Sequence, residues 1–417
     1  MALMTQDKTI LVIGTYDTKS DELDYLTKAI QGQGGKVLTM DVSVLGDPAM
    51  PTDISKHQVA EAANSSIDEA IDSGDENTAM QIMARGSSAL CQMLHKAGRI
   101  DGMIAMGGSM GTDLALDCAR ALPLGVPKYI ISTIAFSTLI PAERLATDTQ
   151  MILWAGGLYG LNSVCKASLS QAAGAVLGAA RAVEMPTQKK PMVGMTSLGS
   201  SCLKYMKVLK PALEERGFEV AIFHATGMGG MAFENLAREG AFACVMDFAP
   251  QEMGNHMMGS SVNSGPNRLR GAAASKTPAI IAPGCVDLVD FPGWQPFPDQ
   301  FSDRSFHAHN RLLASATLNA EERRQVAREI GARASESKAP VHIISPKQGV
   351  EEWDKPGEPA HEPQSHAAFV EELAKSVQPP VGFTELDCHI NDAQFCETAL
   401  AIFDEWLAQG IVVRKAN

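Results

Sequence analysis

The segments VIGTYDTK…GGKVLTMD and VGMTSLGS…RGFEVAIFH run in the same order: apolar strand, polar loop, helix, glycine, apolar strand. A strand apolar along its whole length, followed by a helix and a second such strand, is the unit of a parallel sheet covered on both faces. Meeting that unit twice in 417 residues predicts two α/β domains. Identity between the two segments is low, so the repeat is one of architecture only.

In the first half, Lys8–Gly14, Lys36–Asp41, Met103–Met106 and Tyr129–Thr133 read as strands. Helices are expected over Thr18 to about Gln31, about Glu61 to Lys96, Gly111–Ala121 and Cys165–Val183, with Thr18 and Asp21 at capping-box spacing. Glu184–Pro191 (EMPTQKKP) reads as a linker. In the second half, Met192–Thr196, Glu219–His224, Ala243–Asp247 and Ala279–Ala282 read as strands. Helices are expected over Ser200–Arg216, Met231–Glu239 and Leu318–Lys338. Pro283 to about Asn310, rich in proline and aromatics, reads as a long irregular segment, and Lys347–Pro363 as a surface loop. The expected fold is α/β, with two Rossmann-like doubly wound parallel-sheet domains, residues 1–186 and 191–417, and an interdomain cleft.

Composition narrows the partners. A net charge of −13 opposes phosphate backbones and anionic lipid, so neither nucleic acid nor membrane is an expected partner. No apolar run is long enough to span a bilayer and no signal peptide is visible. The eight cysteines lack a CxxC pair or a dense framework, which suits reduced thiols and a cytoplasmic location.

Ligands of doubly wound sheets bind beyond the carboxyl ends of the strands. Three loops of the first half belong there: Gly14-Thr15-Tyr16-Asp17-Thr18-Lys19, Gly107–Thr112, and Ser132-Thr133. Their small and hydroxyl residues leave backbone donors free, and Gly107–Thr112 opens a helix, where N–H groups and the dipole favour an anion. Asp17 and Asp41 are candidates for a ribose hydroxyl or Mg²⁺, whereas Asp113, near the helix start, opposes an anion. Taken singly, each loop is as well explained as an ordinary turn. There is no GxxxxGK[ST] motif and no strict GxGxxG after the first strand.

Gly107-Gly108-Ser109-Met110-Gly111 also matches G-x-S-x-G, the nucleophile elbow of serine hydrolases. Such an elbow needs a downstream acid and histidine. The first histidine after Ser109 is His224, in the second half, so hydrolysis through Ser109 stands as an alternative behind the anion cradle. The second half offers His224 at a strand end, Glu252 in MDFAPQE and Arg268 in SVNSGPNRLRGA as candidate catalytic groups. It also carries His307, His309, Asp387, His389 and Asp392, and Cys202 near a helix start. No metal site is fixed by spacing.

VIGTYDTKSDEL, AMGGSMGTDLA, FHATGMGGMAFENL, SGPNRLRGA and CHINDAQF, in that order, resemble the family of the tomato mosaic virus resistance protein's ATP-binding domain, which has many bacterial members. The resemblance runs from about Lys8 to Leu407. It implies two Rossmann-like domains with ATP in the first. Gly14, Thr15, Asp17, Thr18 and Lys19 match the first nucleotide loop, Gly107, Gly108, Ser109, Gly111 and Thr112 the second, and Ser132 and Thr133 the hydroxyl pair. Met110 and Phe136-Ser137-Thr138 depart from the family pattern.

The expectation is therefore a cytoplasmic, homo-oligomeric nucleotide-binding protein, with ATP, alone or with Mg²⁺, in the first domain. Its second domain would present His224, Glu252 and Arg268 to a small acid or carbonyl substrate. The other reading is a nucleotide sensor or partner-binding protein without turnover.

Overall fold

Strand β1 (Thr9–Gly14) is buried along almost its whole length because helices cover both faces of its sheet. Leu11 and Ile13 point into one core, Ile10 and Val12 into another. The computed structural model describes residues 7–154, 156, 157, 159–186 and 189–414. The expected linker Glu184–Pro191 includes positions 187 and 188, which lie outside the described residues. The chain divides into two units, residues 1–187 and 188–417.

The first unit continues with α1 (Ser20–Gly32), β2 (Lys36–Asp41), α2 (Lys56–Ala62), α3 (Ile67–Asp72) and α4 (Glu76–Lys96). Then come β3 (Gly102–Gly107), α5 (Ser109–Arg120), β4 (Lys128–Ser132), β5 (Thr149–Leu153) and α6 (Ser163–Ala182). All pairings are parallel, in the order β2-β1-β3-β4-β5. Leu23, Leu26 and Ile30 of α1 join Leu169, Ala173 and Val176 of α6 on one face. Val59, Met83, Leu90 and Leu114, from α2, α4 and α5, cover the other.

The helical region expected from about Glu61 to Lys96 is broken into pieces. Ser55, Ser66 and Asp75 each accept a backbone N–H at the start of α2, α3 and α4, so three caps divide one periodic stretch. Gly86 lets α2 lie against α4, since a Cβ there would stand 1.8 Å from the Val59 carbonyl oxygen. Thr18 does not cap α1. That helix starts at Ser20, and the Thr18 hydroxyl lies 3.0 Å from that of Thr15 instead. Edge strand β5, half exposed and mixed in polarity, carried no strand signal.

The second unit holds β6 (Met192–Ser197), α7 (Leu203–Glu215), β7 (Glu219–His224), α8 (Met228–Arg238), β8 (Cys244–Asp247), α9 (Gln251–Met257), α10 (Gly271–Ser275) and β9 (Ala279–Ile281). After them come β10 (Leu288–Pro292), β11 (Phe306–Ala308), β12 (Leu313–Thr317), α11 (Ala320–Ser335), β13 (Val341–Pro346), α12 (Pro363–Ser376), β14 (Gly382–Leu386) and α13 (Ala393–Ala408). Six parallel strands run in the order β14-β13-β9-β8-β6-β7. The first strands of this unit repeat the order of the first unit, so the duplicated architecture is real.

The segment expected to be irregular, Pro283 to about Asn310, supplies two strands of a separate antiparallel sheet, β10-β12-β11. Its aromatic residues are the reason: Phe291 packs on Phe301 with ring centres 5.1 Å apart and on Phe297 at 5.6 Å. Among the described residues no helix is long and apolar enough to cross a membrane.

Candidate functional site

In the first unit β1 has β2 on one side and β3 on the other, so the order of connection reverses between β1 and β3. A crevice opens at such a point because the loops leaving the two strands turn to opposite faces of the sheet. Here those loops are Thr15–Lys19 and the turn at Gly108. They border a cavity of about 610 Å³, within the range of small-molecule sites.

The cavity has a polar end. Thr15, Asp17, Thr18, Lys19, Gly107, Gly108, Ser109, Gly111 and Thr133 line it. Gly108 is the N-cap of α5 and has no side chain with which to cap it, which suits the first N–H groups of α5 to a ligand or water. The turn is tight: a Cβ on Gly107 would stand 2.6 Å from the Gly111 Cα. Asp113 does not act on this end as a lone charge, because Arg144 bonds its carboxylate at 2.6 Å and that of Asp117 at 3.0 Å.

Four expected ligand residues are not among the residues lining the cavity and make contacts within the scaffold. Gly14 packs against Leu23, where a Cβ would come within 2.8 Å of the leucine methyls. Asp41 is buried and accepts the N–H groups of Tyr16 at 3.2 Å and Ser43 at 2.9 Å. Thr112 and Ser132 are buried and spend their hydroxyls on each other at 2.7 Å. Asp17 does line the cavity, but its carboxylate also accepts the Ser43 hydroxyl at 3.0 Å and the Gly46 N–H at 3.3 Å, which pins the loop after β2.

The apolar end was not legible beforehand. Val44, Leu45, Ala70, Ile71, Ala79 and Met80 form this wall, with Asp75 and Glu76 on it. These residues come from the loop after β2 and from α3 and α4, so the cap-driven break in the helical stretch creates the wall. Met110 and Trp154 also line the cavity.

In the second unit Arg268 is fully buried. It bonds Glu252 at 2.8 Å and Glu234 at 3.0 Å, grips both oxygens of Asp247, and donates to the Ala249 carbonyl at 3.2 Å. Burial works against the guanidinium charge, and Asp247, Glu252 and Glu234 more than offset it, holding the group well above its ordinary value. Burial pushes Glu252 up to about 7 against the pull of Arg268. The sequence reading set Glu252 and Arg268 against a substrate; the structure places both inside the fold, each engaged by its own chain. A single arginine amid three buried acids must stay paired, because an uncompensated buried charge is costly.

His224, by contrast, is exposed, with Nδ1 3.2 Å from the Thr226 hydroxyl. Partial burial, then His309, lower its pKa. His307 stacks on Trp353 with ring centres 3.7 Å apart. His389 is buried and its Nε2 bonds the Glu351 carbonyl at 2.8 Å and Asp354 at 3.0 Å, which makes it a fastener between two loops.

Family models match both halves of the chain. "Uncharacterised protein family (UPF0261) N-terminal domain" covers residues 8–185, and the C-terminal domain of the same family covers residues 190–407. A UPF0261 protein of Brucella suis is 56% identical over 414 residues, 99% of each chain. One of Clostridium tetani is 33% identical, covering 93% of this chain and 96% of its own. The tomato ToMV resistance protein Tm-1(GCR237) is 27% identical, covering 95% of this chain and 55% of its own.

Proposed function

The chain belongs to the UPF0261 family, and from that premise and the crevice of its first unit we propose that this unit binds ATP or a closely related phosphorylated nucleotide. The observation that carries the reading is the α5 N-terminus, whose N-cap, Gly108, has no side chain and lines a cavity of about 610 Å³. Phosphate oxygens suit such a turn, since several N–H donors and the helix dipole converge there. Lys19, on the facing loop, adds a compact positive charge. The apolar wall of α3 and α4 gives a base a dry surface to lie on. The resemblance of the glycine and threonine loops to an ATP-binding family points the same way.

Three carboxylates, Asp17, Asp75 and Glu76, also line the cavity. A polyphosphate entering beside them gains from bringing Mg²⁺ as counter-charge. Calorimetric titration with ATP, with and without Mg²⁺, tests this, set beside a Gly108→Asp variant. Binding by the wild type that the variant loses supports the reading. Equal binding by both places the nucleotide elsewhere, and no binding by the wild type ends it.

A further inference from the structure

All eight cysteines are buried thiols. Cys202 and Cys285 stand out because their sulfurs lie 3.6 Å apart. They come from different loops. Cys202 ends the turn after β6 and is the N-cap of α7; Cys285 lies in the turn after β9. In the sheet β8 runs between β6 and β9, so the pair bridges the carboxyl end of a three-strand span.

Local structure brings the sulfurs together. Gly284 lets the turn after β9 close down: a Cβ there would stand 2.1 Å from the Phe248 carbonyl oxygen and 3.3 Å from the Cys202 sulfur. Cys285 itself is held at φ 57°, a conformation that side-chain-bearing residues rarely adopt. One carbonyl anchors both residues, as the Val350 oxygen accepts the Cys285 N–H at 3.2 Å and the Cys202 thiol at 3.6 Å.

We propose that Cys202 and Cys285 form a peroxide-responsive dithiol that closes reversibly to a disulfide. One sulfur attacks hydrogen peroxide, forming an S–O bond and breaking O–O, and the departing hydroxide leaves as water with that thiol's proton. The second sulfur attacks the sulfenic sulfur, forming S–S and breaking S–O, and the hydroxyl leaves as water with the second proton. The two thiols give up two electrons and one peroxide becomes two waters. Burial pushes the Cys285 thiol well up and bars bulky oxidants from both sulfurs, so the first attack falls to Cys202 and needs a reagent as small as peroxide. Closing 3.6 Å to the bonded distance of about 2 Å is a small adjustment for two turns. Cys91 and Cys118 form a second thiol pair, but each stands within a long helix, α4 and α5, whose backbones cannot shift one residue alone.

The bond would be felt beyond the pair. The Ser201 carbonyl, next to Cys202, accepts the Glu352 N–H at 3.2 Å and the Asn391 amide at 2.8 Å. Tightening the Cys202 turn thus reaches the loops after β13 and β14. This inference is independent of nucleotide binding in the first unit.

The test is peptide mapping of the full chain after hydrogen peroxide treatment, alkylation of free thiols under denaturing conditions, and digestion without reductant. The expected result is a linked pair of peptides carrying Cys202 and Cys285, lighter than their sum by two hydrogen atoms and separated by dithiothreitol. Titratable thiols should fall by two from eight. Cys285→Ser should abolish the link and leave Cys202 to oxidise further or remain a thiol. The proposal is overturned if wild-type methionines oxidise while no 202–285 link forms, or if the link found is Cys91–Cys118.

Discussion

Glu252 closes the N-terminus of α8 from inside the protein: its carboxylate accepts the N–H of Gly230 at 3.0 Å, and a Cβ on Gly230 would stand 1.6 Å from its second oxygen. The same carboxylate takes the Gly227 N–H. The glycine turn before α8 thus already holds an anion, supplied by the chain itself. At the glycine turn before α5 the N-cap, Gly108, has no side chain of its own and lines the cavity. Two turns alike in composition therefore differ in surroundings: Glu252 fills the one before α8, and the one before α5 borders the cavity.

Gly230→Ala should unfold the second unit early. The methyl cannot enter without expelling Glu252, and Arg268 then loses one of its three acidic partners in a buried site. Breaking a buried, hydrogen-bonded ion network costs about 3–5 kcal/mol. Arg268→Met should do the same by stranding Asp247, Glu252 and Glu234. Denaturant unfolding followed by tryptophan fluorescence checks this, in a Trp154→Phe background so that the signal comes from Trp294, Trp353 and Trp406 of the second unit. A midpoint equal to wild type in both variants would show that the network contributes nothing to stability.

Gly108→Asp should leave the first unit as stable as before while removing anion binding. Gly108 has φ −76° and ψ −153°, extended values open to any residue, and a Cβ there meets only the Thr133 hydroxyl, at 3.8 Å. Aspartate is a good N-cap, better than glycine by a few tenths of a kcal/mol. Its carboxylate would occupy the α5 N-terminus as Glu252 occupies that of α8. A melting temperature at or slightly above wild type, together with lost ATP binding, is the expected pair of results. A lowered melting temperature would mean that the turn tolerates no side chain, and the loss of binding would then say nothing about the phosphate.

The alternation of strand and helix was plain in the sequence because a doubly covered strand such as Lys8–Gly14 has no polar face to obscure it. The polar end of the cavity was legible only as a set: each glycine and threonine loop alone reads as an ordinary turn, and three of them at the carboxyl ends of strands point to one edge. What stayed hidden depended on tertiary partners. The wall of α3 and α4 follows from caps at Ser66 and Asp75, which periodicity alone passes over. Arg268 looked like a ligand grip because an arginine in a glycine-rich segment carries no mark of the acids that will surround it. Ser132 and Thr112 looked equally available, and only the 2.7 Å contact between them shows that they satisfy each other.

Arg144→Ala should weaken ATP binding without touching the cavity wall. Arg144 neutralises Asp113 and Asp117 on α5, and its removal leaves two negative charges near the phosphate end. Both carboxylates are partly exposed, so the effect is modest, about 1 kcal/mol or less, or several-fold in affinity. Salt should erase most of it, since charges near the surface are screened over about 10 Å at 0.1 M. Titrations at low and high salt decide the matter: a loss that persists at high salt would implicate structure rather than charge.

Stability of the second unit should fall as pH rises from the ordinary carboxylate range toward alkaline values. Burial first, and then the charge of Asp287, push Glu351 up from 4.5 to about 10. Burial likewise pushes Asp287 up from 3.8 to about 7, and neither of its side-chain oxygens has a hydrogen-bond partner. Both folded values lie above the unfolded ones, so their contribution is complete below about pH 4. As pH rises, the unfolded chain sheds protons that the folded chain keeps, and each group drains at most about 1.4 kcal/mol per pH unit. Asp287 stops contributing to this loss near pH 7, and Glu351 continues to about pH 10. Glu351→Gln removes the larger share while keeping an oxygen for the Trp353 N–H, which Glu351 accepts at 2.7 Å. The variant should match wild type at about pH 4 and exceed it by more than about 1 kcal/mol at about pH 8. Urea midpoints measured across that range check the prediction. Parallel curves for the two proteins would mean that Glu351 is charged in the folded state, with its second oxygen satisfied by a partner other than a proton.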